Sequence, residues 1–522
     1  MNKRPNILLI TTDQQRFDTI HASGYDQMIT PNLDRIANEG GNFLNAYSPN
    51  PVCIPARHNI ITGLPCKYHT FDDNYFDDSH VIPYDLPTFA QCLSDEGYDT
   101  IAIGKMHFQP ARRHNGFGRF IMTDEISRFR EDDDYLLYLK EKGYKVQSPH
   151  GVRHVLYMQP QQSLLKDEDH ASSWIATKTI EYLDNSSRNR PFLIWAGFVA
   201  PHPPFNVPHS YAHLYDDADI PEPIVSKTPV SIEAENNKYI ADYPNKETYL
   251  RAKQSYYSSI SFVDHNVGRI LDKLEEIGEI DNTLIIFTSD HGEMFGDMGT
   301  YQKMLPYDGS CKIPFLVRFP KEIKAGTKIT DFVDLNDIFP TMLDVAGIKY
   351  PGKELPGGSI FKDDKDRNFQ YVEHQHGQRR WLSVRTKEYK YNYYYALGRE
   401  ELFDMVNDPK ETTNLLYDDP KGYEEIRLPL RKKLLEYEIK WGLSEGIENG
   451  DFKVYPELKP HFTMENNPPV FPKNLREPED LISLEDEVKM AIADEPVVDL
   501  ENLNLDYYAK TLDIEDLLTK KQ

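Results

Sequence analysis

Asn6-Ile7-Leu8-Leu9-Ile10-Thr11-Thr12-Asp13 is a short apolar run that ends in a carboxylate. Its unbroken aliphatic residues predict a strand buried on both faces, as in a parallel sheet. Two later runs repeat the pattern, because Phe192-Leu193-Ile194-Trp195 comes before His202 and Leu284-Ile285-Ile286-Phe287 comes before Asp290. Ligands of open α/β sheets bind beyond the carboxyl ends of the strands. The three runs therefore predict a site with ionisable groups at one edge of a sheet.

The segments between these runs have helical features. Thr30 followed by Pro31, with Gly40-Gly41 further on, predicts a helix that Thr30 caps. Residues 260 to 277 carry apolar side chains near helical spacing, whereas Phe315-Leu316-Val317 predicts a further strand. Strands that alternate with helices predict an α/β fold.

The character of the sequence changes near residue 371. Residues 381 to 395 alternate aliphatic, aromatic and basic side chains, which predicts a small antiparallel sheet, and a helical pattern follows from 423 to 441. Residues from about 445 are acidic and rich in proline, which is typical of a wrapping or partly disordered tail. We predict a catalytic domain at 1–370, a smaller C-terminal α+β subdomain at 371–444 and an extension at 445–522 that could join subunits.

The composition is that of a globular protein with an acidic balance. The 59 Lys and Arg against 84 Asp and Glu give a formal charge of −25, which argues against nucleic acid or an anionic membrane as a partner. Neither a membrane-spanning apolar run nor a signal peptide is visible, so we expect a cytoplasmic protein. The four cysteines have no zinc-site spacing, and a disulfide framework is not expected in a chain of this size.

Two segments carry groups suited to chemistry. Ser289-Asp290-His291-Gly292-Glu293 places a carboxylate beside an imidazole at a turn that Gly292 permits, and carboxylates at strand ends are natural ligands of a hard divalent cation. For Asp13 taken alone, a turn or cap is the commoner role. Pro55 shortly after Cys53 predicts that Cys53 begins a helix, where the dipole favours an anion and lowers a thiol pKa. The alternative is a buried structural cysteine.

Several motifs resemble those of one enzyme family. Cys53-Ile54-Pro55-Ala56-Arg57, followed by Ile61-Thr62-Gly63, is similar to the signature of type I sulfatases, with Ile54 where that family usually has a small residue. Residues 97–107, which end in Gly104-Lys105-Met106-His107, resemble a second signature, and Ala200-Pro201-His202-Pro203-Pro204 resembles a third segment. Residues 401–415 resemble the family's smaller domain. The similarity runs from residue 6 to about 415 and implies an alkaline phosphatase-like fold with a large mixed, mostly parallel sheet flanked by helices.

The resemblance also implies a set of roles. Cys53 would be oxidised to formylglycine by a dedicated formylglycine-generating enzyme, and Arg57 would orient the modified residue. Lys105, His107, His202 and Lys303 would surround the sulfate. A divalent metal, calcium first and manganese second, would be held by Asp13, Gln14, Asp290, His291 and residue 53. Gln14 and His291 stand where many members have Asp and Asn, as in the branch with phosphonate monoester hydrolases and choline sulfatases.

The predicted function is hydrolysis of a sulfate ester. A sulfated carbohydrate is the expected substrate, because aromatic residues make up 12% of the chain and glycan substrates are frequent in the family. The first alternative is a phosphonate monoester or phosphodiester hydrolase with the same site, because sulfate and phosphate differ little in shape. The second is a binding protein that keeps the fold with an unmodified Cys53.

Overall fold

The computed structural model describes residues 4–498, apart from 76–79, 126, 128–131, 154–155, 188, 232–233, 235–242, 244, 363–366, 459–480 and 496. The strands up to residue 334 are β1 (Asn6–Thr12), β2 (Gly41–Tyr47), β3 (Asp99–Gly104), β4 (Arg119–Met122), β5 (Pro160–Gln162), β6 (Phe192–Gly197), β7 (Phe205–Val207), β8 (Thr283–Ser289), β9 (Phe315–Arg318) and β10 (Thr327–Asp334). Further strands are β11 (Phe369–His374), β12 (Trp381–Thr386), β13 (Tyr389–Tyr394), β14 (Arg399–Asp404), β15 (Ile447–Glu448) and β16 (Asp451–Phe452).

An eight-stranded sheet forms the centre of the protein, in the order β10-β2-β9-β8-β1-β6-β3-β4. Its strands run parallel except β9, which is antiparallel to both β2 and β8. β1 lies inside the sheet and is buried along its whole length. This architecture confirms the predicted α/β fold with a mixed, mostly parallel sheet, and the predicted strand at 315–317 is β9.

Helices cover both faces of this sheet, and others pack elsewhere on the protein. They are α1 (Pro31–Glu39), α2 (Cys53–Thr62), α3 (Cys66–His69), α4 (Phe89–Asp95), α5 (Asp134–Glu141), α6 (Ala171–Asn185), α7 (Lys246–Glu276), α8 (Asp308–Cys311), α9 (Ile338–Ala346), α10 (Glu424–Trp441) and α11 (Leu484–Ala491). Alternate residues of β1 point to opposite faces. Ile7 and Leu9 therefore pack with α2, α4 and α9, and Leu8 and Ile10 pack with α1, α6 and α7.

Helix α1 begins where the sequence predicts, but its cap comes from elsewhere. Thr30 occupies the N-cap position without binding a backbone N–H group of α1 through its side chain. The Asp264 carboxylate of α7 accepts instead from the backbone N–H of Asn32 at 3.0 Å and of Leu33 at 2.7 Å. The predicted N-cap position of Thr30 is therefore confirmed, but a carboxylate brought by tertiary packing binds the N–H groups of the first turn with charge assistance.

The C-terminal part has its own sheet. Strands β11 to β14 form a four-stranded antiparallel sheet in chain order, and α10 packs on it through Leu430 and Leu434. Further along, α11 packs on Val152 and Leu156, and Glu495 pairs with Arg251 at 2.7 Å. Part of the predicted 445–522 extension lies outside the described residues, and the division into three segments remains a prediction. Among the described residues, no helix has both the length and the apolar character needed to cross a membrane.

Candidate active site

The order of the strands brings the predicted site residues to one edge of the sheet. Strands β1 and β8 pair with Thr12 opposite Ser289, so the next residues, Asp13 and Asp290, leave the sheet side by side. On the other side of β1, strand β6 leads to His202. Strand β3 is paired with β6 and continues into Lys105 and His107. Parallel strands thus deliver all these groups to the same edge, as predicted for the runs before Asp13, His202 and Asp290.

Helix α2 aims two side chains at this edge. It begins at Cys53, as predicted, and Arg57 lies one helical turn later on the same face. The fully buried Arg57 guanidinium donates from Nε to Asp290 Oδ2 at 2.9 Å and from Nη2 to Asp13 Oδ2 at 3.0 Å. A planar guanidinium fork can bridge two carboxylates in this way. Arg57 therefore ties α2 to the ends of β1 and β8.

The donor atoms of Asp13, Cys53, Asp290 and His291 form a group that fits a divalent cation, since they all lie within 4.8 Å of one another. The Cys53 sulfur is 3.2 Å from His291 Nε2. His291 donates from Nδ1 to the carbonyl of Gly292 at 2.9 Å, which leaves the Nε2 lone pair facing the group. Burial and the Asp13 carboxylate raise the pKa of Asp290 to about 7. A bound cation would offset this cost and use the mixed oxygen and nitrogen donors.

A glycine is required at position 292 for a different reason from the predicted one. It is not in the left-handed region, and a Cβ atom there would lie 2.1 Å from the carbonyl oxygen of Gly309. The glycine therefore allows the backbone around α8 to pack against the loop that carries Asp290 and His291.

A second cluster, Asp13, Glu125 and His202, also has donor atoms within 4.8 Å of one another. The Lys105 ammonium already neutralises the two carboxylates of this cluster. It contacts Asp13 Oδ2 at 2.7 Å and pairs with Glu125. Although burial disfavours the ammonium, Asp13 and Glu125 raise the pKa of Lys105 above its ordinary value. The group that contains Cys53 is therefore the better candidate for a metal site.

Lys303 and His202 form a buried pair. The Lys303 ammonium donates to Gln14 Oε1 at 2.6 Å and lies 3.0 Å from His202 Nε2. His202 Nδ1 faces the carbonyl of Pro203 at 2.6 Å and a Glu125 oxygen at 3.2 Å. These contacts assign the proton of a neutral imidazole to Nδ1 and leave Nε2 as an acceptor. Burial and the Lys303 charge hold the pKa of His202 well below its ordinary value.

The structure also places the other predicted residues. His107 is buried with a left-handed backbone, and burial together with Lys105 lowers its pKa well below the ordinary value. Gln14 binds Asp290 through its backbone N–H at 3.1 Å, while its amide group contacts Lys303 and Glu293. The roles of these residues, including Gln14 as a metal ligand, remain predictions.

The Cys53 thiol differs from the expectation based on its position at a helix N-terminus. Burial and the Asp13 carboxylate raise the pKa of this thiol to about 12, although Lys303 and Lys105 act in the opposite direction. The backbone N–H of the next residue, Ile54, is bound by the Asn74 side chain at 2.9 Å. The predicted lowering of the thiol pKa is therefore wrong, because desolvation outweighs the helix dipole. A thiolate nucleophile is disfavoured here.

Two carboxylates of the site were not predicted from the sequence. Glu125 contacts Lys105 and His202, and it follows the edge strand β4, whose short Arg-Phe-Ile-Met sequence is a weak strand signal. Glu293 lies in the segment that contains Asp290, and its Oε1 accepts from the backbone N–H of Phe295 at 2.9 Å. A search for carboxylates just beyond every strand could have found Glu125, whereas nothing local distinguishes Glu293.

The fold and this buried group of two carboxylates, an imidazole and residue 53 define a hydrolase of the alkaline phosphatase-like class. The chain belongs to the sulfatase family, whose sequence model matches residues 5–348. A second family model, N-sulphoglucosamine sulphohydrolase C-terminal, matches residues 296–440. These matches confirm the predicted sulfuric ester hydrolase.

Individual proteins agree with this assignment. An arylsulfatase of Clostridium perfringens is 33% identical over 493 residues, which cover 87% of this chain and 98% of that protein. An N-acetylglucosamine-6-O-sulfatase of Bacteroides thetaiotaomicron is 26% identical, with 79% and 83% of the two chains covered. The crystal structure of a phosphonate monoester hydrolase of Agrobacterium radiobacter superposes with a TM-score of 0.73 at 25% identity, covering 84% of this chain and 96% of that one.

Proposed function

We propose that the protein removes sulfate from sulfated carbohydrates and that Cys53 acts after conversion to formylglycine by a formylglycine-generating enzyme. The single observation that carries this proposal is the position of residue 53. It lies beside Asp13 and His291, in surroundings that raise the pKa of a thiol. Hydrated formylglycine at this position would place a hydroxyl group beside the residues that would hold the cation. The name of the Bacteroides relative, an N-acetylglucosamine-6-O-sulfatase, supports a sugar substrate.

Residues of the chain would hold the two groups that this chemistry needs. Asp13, Asp290, His291 and residue 53 would bind a divalent cation, calcium in the first instance. When bound, the cation would act as a Lewis acid on the sulfate oxygens. Hydrated formylglycine would supply a hydroxyl nucleophile and a second hydroxyl for release of sulfate. Arg57 would orient residue 53 while neutralising the two carboxylates that it bridges.

The cationic side chains would stabilise charge on the substrate. Lys105 contacts Asp13, Lys303 lies 3.0 Å from His202 Nε2, and both lysines are buried. Ammonium groups held in a dry site stabilise the developing charge of the sulfuryl oxygens without reorganising. These two lysines would also counter the repulsion that the acidic chain exerts on an anionic ester.

Proton donation and acceptance would involve Lys303 and His107. The Lys303 ammonium lies 3.0 Å from the acceptor atom Nε2 of His202, so this ammonium would protonate the leaving alcohol oxygen while His202 holds it in place. The low pKa of buried His107 keeps its imidazole neutral, so it would accept a proton when sulfate is released. Proton donation and acceptance would thus lie with different residues.

Two measurements test this proposal. Mass spectrometry of the peptide that contains residue 53, from protein of the native host, should show formylglycine. An unmodified cysteine would favour a binding protein instead. A desulfation screen over glycan fragments, choline sulfate and aryl sulfates should then show the highest kcat/KM on a sulfated sugar. Cys53→Ala, which cannot be modified, is the control and should be inactive on every ester.

A phosphonate monoester hydrolase is the second candidate. It is favoured by the similarity to the Agrobacterium enzyme structure, and by Gln14 and His291 at positions where the family resemblance implies Asp and Asn in many sulfatases. Rates on an aryl sulfate and an aryl phosphonate with the same leaving group separate the candidates. A phosphonate preference of several orders of magnitude would contradict the sulfatase proposal.

A further inference from the structure

The loop that carries Lys303 has an unusual backbone. The residues on both sides of it, Gln302 and Met304, lie in the left-handed region with φ values of 69° and 74°. This region is disfavoured for residues that have a Cβ atom, and such residues persist only when surrounding contacts hold them. The position of the Lys303 ammonium therefore depends on what holds its neighbours.

Contacts from three segments hold this loop. The carbonyl of Gln302 accepts from the backbone N–H of Met294 at 2.8 Å, and the N–H of Met304 donates to the carbonyl of Pro51 at 3.1 Å. The carbonyl of Met304 accepts from the indole Nε1–H of Trp381 at 3.0 Å. The last contact comes from the first residue of β12, in the C-terminal sheet.

Trp381 is itself fixed. Only 1% of its surface is exposed, and its indole packs in a cluster with Tyr47, Cys311 and Tyr394. A buried indole N–H needs an acceptor, and the carbonyl of Met304 provides one. The hydrogen bond therefore joins a buried, closely packed side chain to a loop whose backbone is in a disfavoured conformation.

The same end of the C-terminal sheet also holds the segment that precedes Cys53. The backbone N–H of Glu373 donates to the carbonyl of Pro49 at 2.9 Å. His374 Nδ1 lies 3.0 Å from the side-chain oxygen of Asn50, and the His374 and Trp381 rings are 5.8 Å apart. Neighbouring residues of β11 and β12 thus contact both the Cys53 segment and the Lys303 loop.

We propose that Trp381 is a positioning residue for hydrolysis, which acts by holding Met304 so that the Lys303 ammonium stays against His202. The inference rests on the proposed function, in which the Lys303 ammonium, held against His202, protonates the leaving oxygen. It gives the C-terminal sheet a part in the reaction, although none of its side chains needs to touch the substrate. Loss of the indole N–H should impair leaving-group protonation more than substrate binding.

The test compares Trp381→Phe with wild type on aryl sulfates of rising leaving-group pKa. For phenyl sulfate, whose leaving group needs a proton, kcat should fall about tenfold or more, because small misplacements of a catalytic group are costly. For 4-nitrophenyl sulfate, whose leaving group is stable as an anion, we expect a fall below about threefold. KM should stay within about twofold on both esters. Trp441→Phe, at a buried tryptophan of α10, is the matched control and should show no such difference between the esters.

A double-mutant cycle identifies the route of the effect. In a Lys303→Ala background, Trp381→Phe should cost almost nothing further on phenyl sulfate, because the group that it positions is gone. An equal fall on both esters, or an undiminished fall in the Lys303→Ala background, would overturn the inference. If Trp381→Phe does not fold, the isosteric benzothienylalanine at position 381, which lacks the N–H group, replaces it with the same expected results. A wild-type enzyme that hydrolyses no sulfate ester would instead contradict the proposed function.

Discussion

The sulfur of Cys53 lies 3.2 Å from Nε2 of His291, although the two residues are 238 positions apart in the chain. The contact forms because the first residue of α2 meets the loop beyond β8. It also places residue 53 next to Asp13 and Asp290, two buried carboxylates that have one guanidinium between them.

Calcium should stabilise the protein through Asp13, Asp290 and His291. Without a cation the two carboxylates repel each other in a buried site, and a ligand present at 100 times its Kd adds about 2.7 kcal/mol to the free energy of unfolding. Thermal unfolding of chelator-treated protein should therefore shift upward by a few degrees on adding calcium. His291→Ala should reduce this shift strongly, whereas Asp272→Ala, at an exposed carboxylate, should keep it. An unchanged shift in His291→Ala would remove His291 from the metal group.

Glu125 should weaken the binding of sulfate. Its carboxylate pairs with Lys105 and lies 3.2 Å from His202, so it competes with an anion for both groups. Glu125→Gln keeps the shape but removes the charge, and the inhibition constant of inorganic sulfate should fall by about tenfold, equivalent to about 1.4 kcal/mol. Steady-state inhibition measures this change. Glu279→Gln, at a buried carboxylate that binds Asn6, is the control, and equal constants in both variants would exclude the competition.

Asp264 should stabilise the fold by capping α1. Its carboxylate binds the N–H groups of Asn32 and Leu33, and loss of a helix cap typically costs about 1–2 kcal/mol. Asp264→Ala should lower the denaturant midpoint accordingly and leave kcat/KM unchanged. Asp272→Ala removes an exposed carboxylate from the same helix and should cost less than about 0.5 kcal/mol. Equal losses in the two variants would contradict the capping role.

His170 should make the protein less stable in acid. Its Nδ1 accepts from the backbone N–H of Ser172 at 3.1 Å, and its Nε2 lies 3.1 Å from the carbonyl of Asn206, so the neutral ring satisfies both. Burial lowers the pKa of His170 to about 4. The unfolded chain, with a histidine pKa of about 6.5, then binds more protons between these values, so stability is present above about pH 6.5 and is lost as the pH falls.

The measurement is the free energy of unfolding between pH 7 and 4. Each such histidine contributes a slope of up to about 1.4 kcal/mol per pH unit in this window. His170→Asn keeps a capping side chain without titrating, so its slope should be smaller by up to that amount. The same slope in His170→Asn as in wild type would show that His170 is protonated in the folded state.

Much of the site could be predicted because strand ends are local features of the sequence. The apolar runs before Asp13, His202 and Asp290 predict β1, β6 and β8, and parallel pairing then brings their ends together. Glu125 escaped prediction because the strand before it is short and carries a weak apolar pattern. Lys303 follows no strand, so nothing local showed that it contacts His202.

The sequence by itself determined the α/β class, the sulfatase motifs and the start of α2 at Cys53, because these depend on apolar periodicity and on residues close together in the chain. Only the tertiary structure decided how those groups behave. Tertiary packing raises the pKa of the Cys53 thiol. It also brings the Asp264 carboxylate to the first N–H groups of α1 and the Trp381 indole to the carbonyl of Met304 in the Lys303 loop. The physical reason is that desolvation and charge pairing depend on side chains that packing brings from distant positions, and the local pattern of residues does not specify them.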